Sequence, residues 1–186
     1  MKQTVEKRKP QGIVDYVALA LTTWGVGYLP LMPGTFGSVV GVAIYFGVVW
    51  LDIAAGGRFL GAGYTPDQIS ALIWASNSIL LIAFIIVGIW ASGRTIEILG
   101  NTDPSEAVVD EVLGMLITLL FIPQGASWVF ILAGFGLFRL FDIWKPYPID
   151  SLQSLPAGVG VCADDIVAGV YAGICLSIGY AITILV

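Results

Sequence analysis

The chain has 186 residues, of which 58% are hydrophobic and 11% charged, against roughly a quarter charged in soluble domains. Its mean hydropathy of +0.92 marks an integral membrane protein, and its formal net charge of −5 argues against a nucleic-acid partner. The absence of histidine excludes His-nucleophile phosphatases, Ser-His-Asp hydrolysis and His-ligated zinc.

Residues 1–15 read as a basic N-terminal tail carrying Lys2, Lys7, Arg8 and Lys9, and residues 16–186 as a single membrane-embedded catalytic domain. A basic start before an apolar stretch is also how signal peptides begin, but Pro30 to Gly37 stands where a small-residue cleavage site is needed. The uncharged run 16–51 is broken by Gly25, Gly27, Pro30, Pro33, Gly34 and Gly37. That pattern predicts a short interfacial or re-entrant piece to Tyr28, a loop, and a span from about Ser38 to Leu51. A Gly-rich loop is expected from Asp52 to Asp67. The uncharged runs 68–93, 112–138 and 166–186 are each long enough to cross a bilayer, which takes roughly 20 apolar residues. Pro123-Gln124-Gly125 interrupts the middle one and predicts a helical hairpin, one arm from Pro104 to about Phe121 and the other from about Ser127 to Phe141.

The expected fold is therefore all-α and polytopic, with about four to five hydrophobic helices. In it Lys2, Lys7, Arg8, Lys9, Arg94, Arg139 and Lys145 share one side and Arg58 lies on the other, so the positive-inside bias makes the first side cytoplasmic. Cys162 and Cys175 are too few for a disulfide framework, and apolar packing is the default for both.

Seven of the thirteen acids fall in three clusters beside these runs: Asp103 to Glu111, Asp142, and Asp164-Asp165. Carboxylates there are costly without a cation or a function. Asp103, Pro104 and Glu106 read as a helix start with a capping box. That leaves Asp110 and Glu111, two turns further in, unexplained except as a solvated helix end. Asp164-Asp165 is a second double acid, opening a helix after the loop Gly158-Val-Gly160, and Asp164 suits a cap. Asp165, Gly169 and Gly173 are spaced by four, a small-residue face that suits close packing against Glu111, Gly114 and Thr118. Four carboxylates so gathered would be driven toward protonation unless divalent cations neutralised them, and hard oxygen donors point to Mg²⁺ or Mn²⁺ at Asp110, Glu111, Asp164 and Asp165.

Arg139, Asp142 and Lys145 follow at i, i+3 and i+6. They make either an interfacial salt-bridge ladder or, beside a metal, two cations for a phosphate. Pro33-Gly34-Thr35-Phe36-Gly37-Ser38 is an ordinary turn or an anion site. In the second reading Gly34 frees backbone N–H groups, Thr35 and Ser38 add hydroxyls, and Ser38 caps the next helix.

These four blocks, ending in Gly158-Val-Gly160-Val-Cys-Ala-Asp164-Asp165-Ile-Val-Ala168-Gly169, occur in order and closely resemble the phosphatidylglycerophosphatase A family. The resemblance implies a bacterial inner-membrane, Mg²⁺-dependent phosphatase. Such an enzyme converts phosphatidylglycerophosphate to phosphatidylglycerol, the step before cardiolipin synthesis. With it the expected catalytic residues are Asp110, Asp142 and Asp165, Asp142 serving as ligand, general base or partner orienting Lys145. Gly34, Thr35, Ser38, Arg139 and Lys145 are expected on the phosphate. Water attack and a covalent aspartyl-phosphate both fit. The alternatives are a phosphatase of another lipid phosphate, such as a polyprenyl type, and a cation transporter; the latter would put acids near mid-span and give Arg139 and Lys145 no role. Oligomeric state is left open.

Overall fold

A computed structural model describes residues 5–102 and 104–185. Among them are seven α-helices, one short 3-10 turn (Val26–Tyr28) and no strand. The helices are α1 (Gly12–Thr23), α2 (Pro33–Gly61), α3 (Pro66–Leu99), α4 (Val109–Leu119), α5 (Trp128–Trp144), α6 (Ile149–Leu152) and α7 (Ala157–Leu185). Three of them, α2, α3 and α7, are long and apolar enough to cross a membrane. At 29, 34 and 29 residues they measure roughly 43 to 51 Å at 1.5 Å per residue, more than the ~30 Å hydrocarbon core.

The core is built around the shortest apolar helix of the bundle. Val109, Val112, Leu113, Met115 and Leu119 of α4 are fully buried, with α7, α2, α5 and α3 packed around it. At 11 residues, roughly 16 Å, α4 cannot cross a bilayer by itself; it turns back through Pro123-Gln124-Gly125 into α5, which gives the expected hairpin. Ser127 caps α5, its hydroxyl accepting the Val129 N–H at 3.5 Å.

Several expected boundaries move. The span expected from Ser38 to Leu51 begins at Pro33 and runs to Gly61, so the Pro-Gly-Thr-Phe-Gly-Ser segment is helix and not loop. Proline at the first helical position is pre-set for the helix, and past Leu51 the chain stays helical through Gly56, Gly57 and Gly61. In a bilayer every unpaired backbone group is costly, which outweighs the weak helix propensity of glycine. The loop expected from Asp52 to Asp67 shrinks to a tight connection ahead of α3, where Thr65 and Gln68 form a capping box.

The arm expected from Pro104 begins only at Val109. Ahead of it the Val108 N–H donates to the Thr22 carbonyl of α1 at 2.9 Å, and Ser105 donates to Glu106 at 3.3 Å. Asp103, expected as its N-cap, lies outside the described residues. Finally α7 starts at Ala157, which places Asp164 and Asp165 two turns inside the helix and leaves Asp164 no capping role.

Candidate metal and phosphate site

The site exists because α4 and α7 touch backbone to backbone. A Cβ on Gly169 would stand 2.4 Å from the Gly114 carbonyl oxygen, and one on Gly114 would stand 2.7 Å from the Asp165 carbonyl oxygen. Thr118 pins the crossing, its hydroxyl placed to donate to the Gly114 carbonyl (2.8 Å) and the Gly169 carbonyl (3.2 Å). Asp110 and Asp165 each lie four residues, one turn, before these glycines, so the same crossing sets the two acids face to face. One carboxylate oxygen from each of Asp110, Glu111 and Asp165 lies within 4.8 Å of the others.

The third wall is α2. A Cβ on Gly34 would meet Glu111 Oε1 at 2.1 Å and Arg139 Nη1 at 3.0 Å, and one on Gly37 would meet the Val108 carbonyl oxygen at 2.9 Å. Gly41 continues the stripe, where a Cβ would fall 2.8 Å from that of Met115. These glycines let the start of α2 press against α4 and leave a slot for the Glu111 side chain.

The cations come from the end of α5. Arg139 Nη1 pairs with Asp142 Oδ2 at 2.6 Å and stands 3.9 Å from Glu111 Oε1. Lys145 Nζ bonds Asp164 Oδ2 at 2.5 Å and lies 3.8 Å from Asp142 Oδ1. Lys145 ends α5 in the left-handed region (φ +47°), its N–H donating to the Phe141 carbonyl at 2.8 Å, and Pro146 prevents the helix from continuing. Burial alone would lower the Lys145 pKa. The Asp164 bond and the charges of Asp164, Asp165 and Asp142 outweigh it, so the ammonium stands above its ordinary value.

These groups face a polar cavity of about 890 Å³ lined by Asp110, Glu111, Asp142, Lys145, Asp164 and Asp165, with Pro33, Ser105, Gln153 and Ser154 among the other walls. Six carboxylates line it, Asp150 being the sixth, against Lys145 on the wall and Arg139 behind Asp142. Asp110 Oδ1, Glu111 Oε2 and Asp164 Oδ1 are buried with no hydrogen-bond partner among the described residues. Buried polar atoms in folded proteins are normally satisfied, so these oxygens are available as donors to a cation. An all-oxygen donor set without histidine fits a hard divalent ion.

Of the residues singled out in the sequence, Asp110, Glu111, Asp142, Lys145, Asp164 and Asp165 meet on this cavity. Arg139 stands behind it through Asp142, and Gly34 backs Glu111. Asp164 divides its oxygens, one held by Lys145 and one without a hydrogen-bond partner among the described residues. Ser38 is fully buried and donates to the Gly34 carbonyl at 2.9 Å. Thr35 is half-buried on the first turn of α2 and is not on the cavity wall.

Sequence reasoning missed the supports of the site. Thr22, whose carbonyl holds the start of α4, receives a bond from Thr95 Oγ1 at 3.0 Å. Asp15 is fully buried, bonded by Arg94 Nε at 2.9 Å and by both terminal nitrogens of Arg8. Arg8 also reaches Glu97 at 2.9 Å, which ties the tail and α1 to α3. The hydrogen bond from Arg8 holds the Asp15 carboxyl well below the usual carboxylate range. Only the acid in the first turn of an apolar helix could have signalled this in the sequence.

The family model described as Phosphatidylglycerophosphatase A matches residues 19–180. A protein of Escherichia coli named phosphatidylglycerophosphatase A is 32% identical over 159 residues, 84% of this chain and 80% of that one. One of the same name from Haemophilus influenzae is 33% identical over 165 residues, 88% of each. A Bacteroides thetaiotaomicron protein with the provisional name phosphatidylinositol-3-phosphatase is 35% identical over 158 residues, 84% of this chain and 89% of that one. No solved structure matches. The chain belongs to the phosphatidylglycerophosphatase A family.

Proposed function

We propose that the protein hydrolyses the terminal phosphomonoester of phosphatidylglycerophosphate to phosphatidylglycerol and phosphate, at the cytoplasmic face of a bacterial inner membrane. The observation that carries this reading is the convergence of the Asp110, Glu111 and Asp165 oxygens beside Lys145 and Arg139. Asp110, Glu111 and Asp165, with the partnerless oxygen of Asp164, would hold Mg²⁺, with Mn²⁺ as the alternative. When bound, the ion supplies polarisation of the phosphoryl oxygens and a lower pKa for a coordinated water.

The protein's own groups complete the chemistry. Lys145 Nζ, turned to the cavity by its left-handed cap, neutralises phosphate charge, and Arg139 adds a second positive charge behind Asp142. Asp142 sits between them, Oδ2 on Arg139 and Oδ1 toward Lys145, and of its three expected roles this geometry favours orienting the cations. The side of the site is supported by the tail, where Arg8 and Arg94 flank the same end of the bundle and agree with the positive-inside bias. The acyl chains would stay in the bilayer while the headgroup enters the polar cavity.

The relative named for phosphatidylinositol-3-phosphate favours one other substrate, a phosphoinositide, on the same metal and phosphate groups. Phosphate release from phosphatidylglycerophosphate and from phosphatidylinositol 3-phosphate in mixed micelles, with Mg²⁺ and then excess EDTA, separates the two. Fast release from the first, abolished by EDTA, is the expected result. Preference for the second would move the substrate, and no release from folded protein with either metal would remove the phosphatase reading.

A further inference from the structure

A second cavity, of about 770 Å³, lies between α2 and α3 over the C-terminal half of α4 and shares no lining residue with the acid site. Its walls are apolar: Ile44 and Val48 from α2, Leu81 and Phe84 from α3, Leu116 and Leu120 from α4. One end is different. Asn77 and Gln124 line it, and each donates an amide hydrogen to Asp52 Oδ2, at 2.7 and 2.5 Å. Asp52 is buried, and these two bonds hold both amides at the cavity wall, each with a second N–H left to donate.

The depth of that polar end is set by helix geometry. Pro33 lines the acid cavity, and Asp52 lies 19 residues further along α2, roughly 28 Å at 1.5 Å per residue. Asn77 lies 22 residues before Leu99, roughly 33 Å up α3 from the end that Glu97 and Arg8 tie down. Both distances approach the ~30 Å hydrocarbon thickness along the helix axes, so the amides lie toward the far side of the bilayer from the acid site, with the apolar walls at acyl-chain level. Inside the cavity water would find few polar partners, and its walls belong to two helices that cross the bilayer.

We propose that this cavity binds one phospholipid of the leaflet opposite the acid site, an acyl chain lying between α2 and α3 and its ester or phosphate oxygens accepting from Asn77 and Gln124. Its occupant is a resident bilayer lipid and not the substrate, because the cavity opens at the other end of α4 from Asp110 and Glu111. The test is native mass spectrometry of protein in mild detergent, titrated with dioleoyl phosphatidylethanolamine, together with photolabelling by the same lipid carrying an acyl diazirine. Wild type should retain one lipid and label saturably on α2 and α3 cavity residues. Leu81→Trp, and independently Val48→Phe, should reduce retention at least about tenfold with phosphatase activity intact, whereas Ile82→Trp on the outer face should not. Labelling that never saturates, retention unchanged in both cavity-filling variants, or displacement of the lipid by phosphatidylglycerophosphate would overturn the proposal.

Discussion

Gly169→Ala tests whether the backbone crossing of α4 and α7 sets the acid site. The added methyl would stand 2.4 Å from the Gly114 carbonyl oxygen and 3.0 Å from its Cα, whereas ordinary contact begins at 3.4 Å. Both obstacles are backbone, so relief requires the helices to part by roughly 1 Å, and overpacking of this kind costs about 1 to 3 kcal/mol in stability. Asp165 lies one turn away on the moving helix, directly across from Asp110. A misplacement of ~1 Å among reacting groups costs on the order of 100-fold in rate. The expected result is a kcat on phosphatidylglycerophosphate down about 100-fold and a weaker Mg²⁺ response, in protein whose circular dichroism is that of wild type. Gly179→Ala is the control, since its Cβ meets nothing within 4 Å in the same helix and should leave the rate unchanged. If Gly169→Ala kept its rate within about twofold with an unaltered Mg²⁺ titration, the crossing would not be what holds the acids together.

Asp165→Asn and Glu111→Gln should each lower kcat by at least ~10³-fold and remove the stabilisation by Mg²⁺, which at 100 times Kd is about 2.7 kcal/mol in wild type. Thermal melts with and without EDTA read that second quantity. Lys145→Met should cost on the order of 10² to 10³ in kcat, since it removes a charge aimed at the phosphate. An unchanged rate for Lys145→Met would make the ion pair with Asp164 purely architectural. Because the Asp15 carboxyl is depressed in the folded protein, its stabilising contribution is complete above the unfolded value of about 4 and is lost as pH falls below it toward the folded value. Melts of wild type and Asp15→Asn should therefore converge only as pH is lowered below about 4, and curves that stay parallel there would refute the assignment.

Much of the site was legible because its acids are anomalous in so apolar a chain, and because Asp165 and Gly169 share a helix face with period four. The glycine crossing followed from that spacing laid against Glu111, Gly114 and Thr118. The helix starts were less legible. Thr65-Pro66-Asp67-Gln68 and Asp103-Pro104-Ser105-Glu106 carry nearly the same local signal, yet the first opens a helix at Pro66 whereas after the second the helix starts only at Val109. At the second, the chain is claimed by tertiary contacts: a Cβ on Gly27 would meet the Glu106 carbonyl oxygen at 1.9 Å, and Thr22 takes the Val108 N–H. Glycine was likewise misread in α2, because its helix-breaking cost in water is small beside the cost of unpaired backbone in lipid. Asp52 stood inside an expected loop, so nothing in the sequence tied it to Asn77 and Gln124 across the bundle.

Apart from Asp150, the carboxylates that line the cavity divide into two groups by what neutralises them. Asp142 and Asp164 are matched by Arg139 and Lys145, whereas Asp110, Glu111 and Asp165 face one another, with Arg139 Nη1 no nearer than 3.9 Å to Glu111 Oε1. A phosphate dianion approaching this cavity would compete with Asp142 and Asp164 for the cations, so part of its binding energy would go into displacing bonds the protein already makes. Removing Asp142 or Asp164 would then have two opposing effects, freeing a cation for ground-state binding while releasing it from the position it holds. A neutral Asp142→Asn enzyme should accordingly bind phosphate more tightly and turn over more slowly, with KM and kcat falling together. A rise in KM with kcat unchanged would instead make Asp142 a direct substrate contact, and the ion pairs on either side of it incidental to catalysis.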